Sequence, residues 1–262
     1  MALNLNATAL AFKALHKPGN PLVLANVYDT TSALALAAHP HCRALATASY
    51  AIAAANGLRD QDLTLDNHLP LLAQIAAIAN KAGKPFTVDL QDGYDERIEE
   101  AVRAVIALGA VGINLEDSDH VTGEMMGVET AVERVKRALQ AAREEGVPDF
   151  VVNARSDAFM MGGTLDEAVE RGKQYLEAGA TTAYVFPGPA KNIDEKGVEM
   201  VVRELGGMVN LAVRVVGVGP EDLTSKDLAR FGVARISVGP QLYLAAAHAL
   251  KTAAELTFQG VV

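Results

Sequence analysis

Eight short apolar runs rich in β-branched residues, each followed by a longer amphipathic stretch, organise almost all of this 262-residue chain. That alternation restricts the fold more than any other feature of the sequence. The runs are Pro21–Val27, Cys42–Tyr50, Lys84–Leu90, Ala110–Asp117, Asp149–Asp157, Thr181–Gly188, Met208–Val215 and Val233–Pro240. A strand lying parallel to its predecessor needs a crossover, and one helix supplies it. Local signals mark the helices: Thr164 precedes LDEAVERGKQYLEAG with Glu167 three residues on, as in a capping box, and Gly179 closes that segment. Gly83 and Gly109 end two more, while Asp66 and Asp166 read as first-turn residues. Eight such units close a (β/α)8 TIM barrel, expected to form one domain over residues 1–262. An open doubly wound sheet would carry a Gly-rich phosphate fingerprint after an early strand, and none is present. The helical segment Ala7–Lys17 is expected to lid the N-terminal face of the barrel.

Half of the residues are hydrophobic but only 5% are aromatic, with no Trp, so Ala, Val, Leu and Ile must fill the space between helices and sheet. A net charge of −9 without a Lys/Arg cluster argues against a nucleic-acid partner, because nothing would displace counterions from a phosphate backbone. Cys42 is the sole cysteine, which excludes an intrachain disulfide and a Cys-rich metal centre and suggests a buried structural thiol. Neither a secretory leader nor an apolar stretch of membrane-spanning length is recognisable, so the expected location is cytoplasmic, without a membrane partner.

Reactive groups of such barrels gather at the C-terminal ends of the strands. Collected there are Asn26, Tyr28 and Asp29; Ser49 and Tyr50, followed by Asp60; Asp89, Gln91 and Asp92; Glu116 and Asp117; and Asn153, Arg155 and Asp157. So many carboxylates on one rim repel one another unless a cation lies between them. All-oxygen donors without His favour Mg²⁺ or Mn²⁺ over Zn²⁺. An Asp after a strand is often only the cap of the next helix. Asp89 and Glu116 differ in ending otherwise apolar strands before any turn begins, which should point them along the barrel axis. Arg155, beside them, is expected to be free for a substrate carboxylate.

The segments ANVYDTTSA, ATASYAIAAANGLRD, TVDLQDGYD, GINLEDS, NARSDAF and VARISVGP occur in this order over nearly the whole chain. In combination they resemble the isocitrate lyase and phosphoenolpyruvate mutase superfamily. The resemblance implies a barrel that holds Mg²⁺ mainly through water and stabilises an enolate next to a 2-oxo acid. Carried onto this sequence, it makes Asp89 the direct metal ligand, with Asp60 and Glu116 holding metal-bound waters. Gln91, in the metal's outer shell, stands where many members have a second acid. Ser49 and Tyr50 match the loop whose backbone N–H groups cradle the enolate oxygen, and Arg155 matches the arginine that grips the substrate carboxylate. Pro187 and Asn210 fall at strand ends where the family tunes substrate choice.

Two branches of the family lack their hallmark here. The C–C lyases carry a K-K/R-C-G-H segment after strand four, where this chain reads SDHVTGEMMGVE; the phosphonate branch has Glu-Asp-Lys where this chain has Glu116, Asp117 and Ser118. His120 and Glu124 become the candidates for a replacement acid or base. The expected activity is Mg²⁺-dependent cleavage of a C–C bond in a small 2-oxo or 2-hydroxy di-acid, of decarboxylase or retro-aldol type, through an enolate. The alternatives are a hydrolase of the oxaloacetate or phosphonopyruvate type, or a binding protein that keeps the barrel without the chemistry. Relatives swap their last helix between subunits of a tetramer, a dimer of dimers, and QLYLAAAHALKTAAEL is compatible with such a homo-oligomer.

Overall fold

All eight expected strand regions are present in a computed structural model that describes residues 5–189, 192–219 and 222–260. The first strand is broken at Ala25 into β1 (Leu22–Leu24) and β2 (Asn26–Val27); the others are β3 (Leu45–Thr47), β4 (Phe86–Asp89), β5 (Ala110–Glu116), β6 (Val151–Ser156), β7 (Thr182–Val185), β8 (Val209–Ala212) and β9 (Arg235–Ser237). Their pairings are all parallel, in the order β1-β9-β8-β7-β6-β5-β4-β3-β2. Because β1 and β2 are consecutive pieces of one strand, the sheet curls back on itself as a TIM-type barrel. The side chain of Asn26 spans the break: its amide donates to the Thr47 carbonyl at 2.6 Å, and its oxygen accepts the N–H groups of Val238 (3.2 Å) and Gly239 (3.0 Å).

The surrounding helices are α1 (Leu5–Lys13), α2 (Thr30–Ala38), α3 (Ser49–Ala55), α4 (Leu65–Ala82), α5 (Ile98–Ala107), α6 (Val128–Glu144), α7 (Leu165–Glu177), α8 (Glu195–Glu204), α9 (Ser225–Phe231) and α10 (Gln241–Phe258). Helix α1 closes the N-terminal end of the barrel as expected. Its Phe12 is fully buried, and a Cβ added at Gly112 of β5 would come within 3.2 Å of the Phe12 ring and 2.7 Å of the Val151 carbonyl. Only glycine lets helix and strands approach so closely. The Thr164 hydroxyl caps α7 by accepting the Glu167 N–H at 3.1 Å. Strand two is shorter than its apolar run, since SYAIAAA, rich in the best helix former, folds as α3. Asp29 is used up as the cap of α2, in a reciprocal box with Ser32. Cys42 is half-buried rather than interior, its thiol donating to the Ala44 carbonyl at 3.2 Å.

Apolar side chains fill the layer between sheet and helices in two clusters, the larger centred on β1 to β6 and the smaller on β7 to β9. The barrel interior is polar. There Thr182 donates to Asn153 (2.6 Å), Asn153 to Asn114 (2.7 Å) and Asn114 to Asp89 (2.9 Å), a hydrogen-bonded chain across four strands that ends on a carboxylate. Around the ring, Glu116, Arg155, Tyr184, Asn210 and Arg235 are successive register partners on β5, β6, β7, β8 and β9. The strands tilt against the barrel axis, so this line descends from the last residue of β5 to the first residue of β9. Helix α10 buries none of its own residues, and Leu250 and Phe258 lie open on it; no helix among the described residues is long and apolar enough to cross a membrane.

Candidate active site

A cavity of about 420 Å³ opens at the C-terminal mouth, lined by Ser49, Tyr50, Asp60, Asp89 and Arg155 among others. Asp89 is held by neutral donors alone. One oxygen accepts the backbone N–H of Ser49 at 2.9 Å and the other the Asn114 amide at 2.9 Å, so its orientation is fixed from two sides. Asp60 reaches the same rim from a short 3₁₀ turn. The Gln91 side-chain amide steers it, donating at 2.9 Å to both its carboxylate and its carbonyl. Gln91 therefore acts on Asp60 through its N–H₂ group, and its own position is unusual, with φ at +52° and no exposure. Burial, reinforced by the charge of Asp89, raises the Asp60 carboxyl above the ordinary carboxylate range.

Glu116 and Asp117 are neighbours with opposite duties, because successive strand residues face opposite sides of the sheet. Glu116 turns inward, where burial raises its pKa well above the usual value while its ion pair with Arg155, at 2.5 Å, opposes the shift. Asp117 turns outward and is structural: it accepts the Asp157 N–H (2.7 Å), the Tyr175 hydroxyl (2.5 Å) and Arg171 (3.2 Å).

Two expectations are corrected by these contacts. Arg155 is not free: Nε and Nη2 hold Asp157 in a fork at 2.6 and 3.0 Å, Nη1 meets Glu116, and the guanidinium lies 4.3 Å over the Phe186 ring. Two of its five N–H donors are hydrogen-bonded, both to Asp157, while Nη1 meets Glu116 as an ion pair only, so donors remain for a further carboxylate. Nor is the Ser49 N–H an open donor, since Asp89 occupies it. Tyr50 stands half-exposed at the rim.

The segment between β5 and α6 is a tight hairpin, pinned by an antiparallel bridge between Ser118 and Met125 and by Asp119, which accepts the N–H groups of Val121 and Thr122. On it His120 turns inward to Asp92 (Nδ1 to Oδ1, 2.8 Å) and packs edge-on against Tyr94, whose hydroxyl is 2.5 Å from His68. The Asp92 hydrogen bond raises the pKa of His120. Glu124 is solvent-exposed and Pro187 lines a separate small cavity, so neither side chain joins the set at the mouth. Asn210 is fully buried beneath it, its amide donating to Ser237 at 3.1 Å. Two members of the set were missed from sequence. Asn114 is an amide among apolar residues inside GINLE, and Arg235 is a charge at the alternate position of RIS; the period-2 pattern could have found both.

Among the described residues no three His, Cys, Asp or Glu side chains converge closely enough to ligate a metal ion together. An ion here could be held directly by one carboxylate only, with water completing its shell. Asp60, Asp89, Glu116 and Asp157 gather around the single cation of Arg155, an excess of acids that a divalent ion would offset.

The phosphoenolpyruvate phosphomutase family matches residues 12–258. An uncharacterized protein of Mycobacterium tuberculosis is 30% identical over 96% of this chain and 90% of its own. The 2-methylisocitrate lyase of Escherichia coli K12 is 30% identical over 68% of this chain and 62% of its own. A crystal structure from Burkholderia cenocepacia J2315, provisionally assigned as a phosphonomutase, superposes with a TM-score of 0.84 at 36% identity, covering 98% of this chain and 99% of that one. The chain belongs to the phosphoenolpyruvate phosphomutase family, within the isocitrate lyase and phosphoenolpyruvate mutase superfamily of enzymes.

Proposed function

We propose that the protein is a divalent-metal-dependent lyase that cleaves a C–C bond in a small 2-oxo or 2-hydroxy acid by way of an enolate. The observation that carries this reading is Asp89 held from two sides in a cavity that Arg155 also lines, with donors of that guanidinium left beyond its fork to Asp157. Asp89 would hold Mg²⁺ or Mn²⁺ directly, with Asp60 and Glu116 reaching its waters. Bound there, the ion supplies Lewis-acid stabilisation of negative charge on the substrate's carbonyl oxygen. Arg155 binds the adjacent carboxylate and orients it, and its anchoring by Asp157 fixes the fork before substrate arrives. His120, kept basic by Asp92, is the group on the β5–α6 hairpin suited to hold a proton near neutral pH.

Exposed apolar residues on α10 support assembly through that helix into a homo-oligomer, the swapped tetramer being the arrangement to test by light scattering. The chain reads as one domain acting in the cytoplasm. Oxaloacetate with Mg²⁺ tests the chemistry: pyruvate and CO₂ indicate the lyase, oxalate and acetate a hydrolase. Asp89→Ala should abolish Mg²⁺-dependent turnover with an unchanged circular dichroism spectrum. Full activity in that variant would remove the metal site from the reaction.

A further inference from the structure

Deeper in the same cavity lies a second arginine that the proposed chemistry does not use. Arg235, the first residue of β9, is 2% exposed, lines the cavity, and forms no ion pair among the described residues. Its Nε and Nη1 atoms are buried without a hydrogen-bond partner. Burial lowers its pKa to about 10, which leaves it charged at neutral pH. An unpaired guanidinium inside a protein is costly unless something anionic completes it. Donors cluster around it. Its register partner Asn210 gives its amide to Ser237, so the Ser237 hydroxyl proton is left to point into the cavity it lines. Tyr184, next along the same line, brings a hydroxyl whose pKa burial raises beyond the physiological range. No carboxylate forms an ion pair with Arg235 among the described residues; the charge of Asp89 reaches it only through space, and Glu116 and Asp157 are paired with Arg155.

We propose that Arg235, with Ser237 and Tyr184, forms a second anion subsite that binds the remote carboxylate of a di-acid whose reacting end is held at Arg155. The inference rests on the reading of Arg155 and Asp89 given above, and it makes the substrate a dianion rather than a mono-acid. A carboxylate is favoured over a phosphate because the subsite offers one guanidinium fork and neutral hydroxyls without a second cation.

Calorimetric titration in saturating Mg²⁺ tests it with two matched pairs, malate against 2-hydroxybutyrate and 2-oxoglutarate against 2-oxopentanoate. Oxalate, whose two carboxylates are directly joined and chelate a metal ion together, reports on the metal end. In the unaltered protein at least one di-acid should bind on the order of tenfold to a hundredfold more tightly than its mono-acid partner. Arg235→Met should erase that preference while leaving mono-acid and oxalate affinities unchanged, and Arg235→Lys should keep part of it. Methionine fills similar space without a charge, so Arg235→Met should also melt at or above the temperature of the unaltered protein when no ligand is added. The proposal is overturned if the unaltered protein shows no di-acid preference, if the preference survives Arg235→Met, or if inorganic phosphate stabilises the protein while neither di-acid does. Loss of oxalate binding from the unaltered protein would instead count against the metal-site reading.

Discussion

Lowering the pH from 7 to 5 should cost this protein stability through His16, and the size of the loss follows from where that ring sits. His16 is 5% exposed, directly after α1, with Nδ1 facing the carbonyls of Phe12 (3.1 Å) and Lys13 (3.3 Å) and its ring edge-on to Phe12. Burial, aided by the nearby charge of Arg235, lowers its pKa to about 3. The unfolded chain protonates the ring near pH 6.5, so below that value the unfolded state binds a proton that the native state refuses. Stability is therefore complete above about pH 6.5 and falls as the pH drops towards 3. At pH 5 the unfolded state gains about 2 kcal/mol from this one ring, against a few tenths at pH 7. Any folded pKa below about 4 gives the same figure, because the native state then stays deprotonated at pH 5. Raised carboxylates such as Glu116 act in the opposite sense, so the comparison must be made against a His16→Gln variant that shares them. Urea unfolding of both proteins at each pH, at one protein concentration, isolates the contribution of the ring. Relative to His16→Gln, the unaltered protein should lose about 2 kcal/mol between pH 7 and 5. Parallel pH profiles for the two proteins would refute the assignment of His16 as a buried neutral ring.

Other substitutions separate structure from chemistry. Gly112→Ala forces a Cβ against the Val151 carbonyl, a backbone atom that cannot rotate away, and should destabilise the protein by about 3 kcal/mol in thermal or urea melts. Asp117→Asn breaks the outward network with Arg171 and Tyr175; a loss of about 3 kcal/mol is expected, with Mg²⁺ and oxalate binding by the folded protein unchanged. Arg155→Lys keeps the charge but not the fork to Asp157, so substrate affinity should fall roughly tenfold to a hundredfold with little change in helix content by circular dichroism.

The barrel was legible in the sequence because parallel strands buried on both faces read as continuous apolar runs, and the punctuating glycines mark where each helix stops. The acids at the mouth were legible for the same reason: Asp89 and Glu116 interrupt runs that are otherwise apolar. Spacing could not show partnership. That Asp157 and Glu116 would capture Arg155, or that Asp89 would take the Ser49 N–H, depends on side-chain reach across neighbouring strands, which no linear pattern encodes. The β5–α6 hairpin likewise placed His120 inward and Glu124 outward through a turn whose geometry is set by Asp119 and Thr122. Ser49 moved from strand to helix because SYAIAAA, short and mostly Ala, satisfies either pattern until the barrel's curvature decides.

The broken first strand has a mechanical corollary. All eight joints of the barrel are backbone ladders, but at Ala25 the first strand exchanges one neighbour for the other, and the Asn26 side chain helps to tie the two flanking strands together. The backbone bonds on either side of it, Val238 N–H to the Leu24 carbonyl (3.2 Å) and Ala48 N–H to the Val27 carbonyl (3.3 Å), are both long. Transient opening should start at this seam, directly beside the mouth, so the amide protons of Val238 and Gly239 should exchange with solvent before those of the β5–β6 ladder opposite.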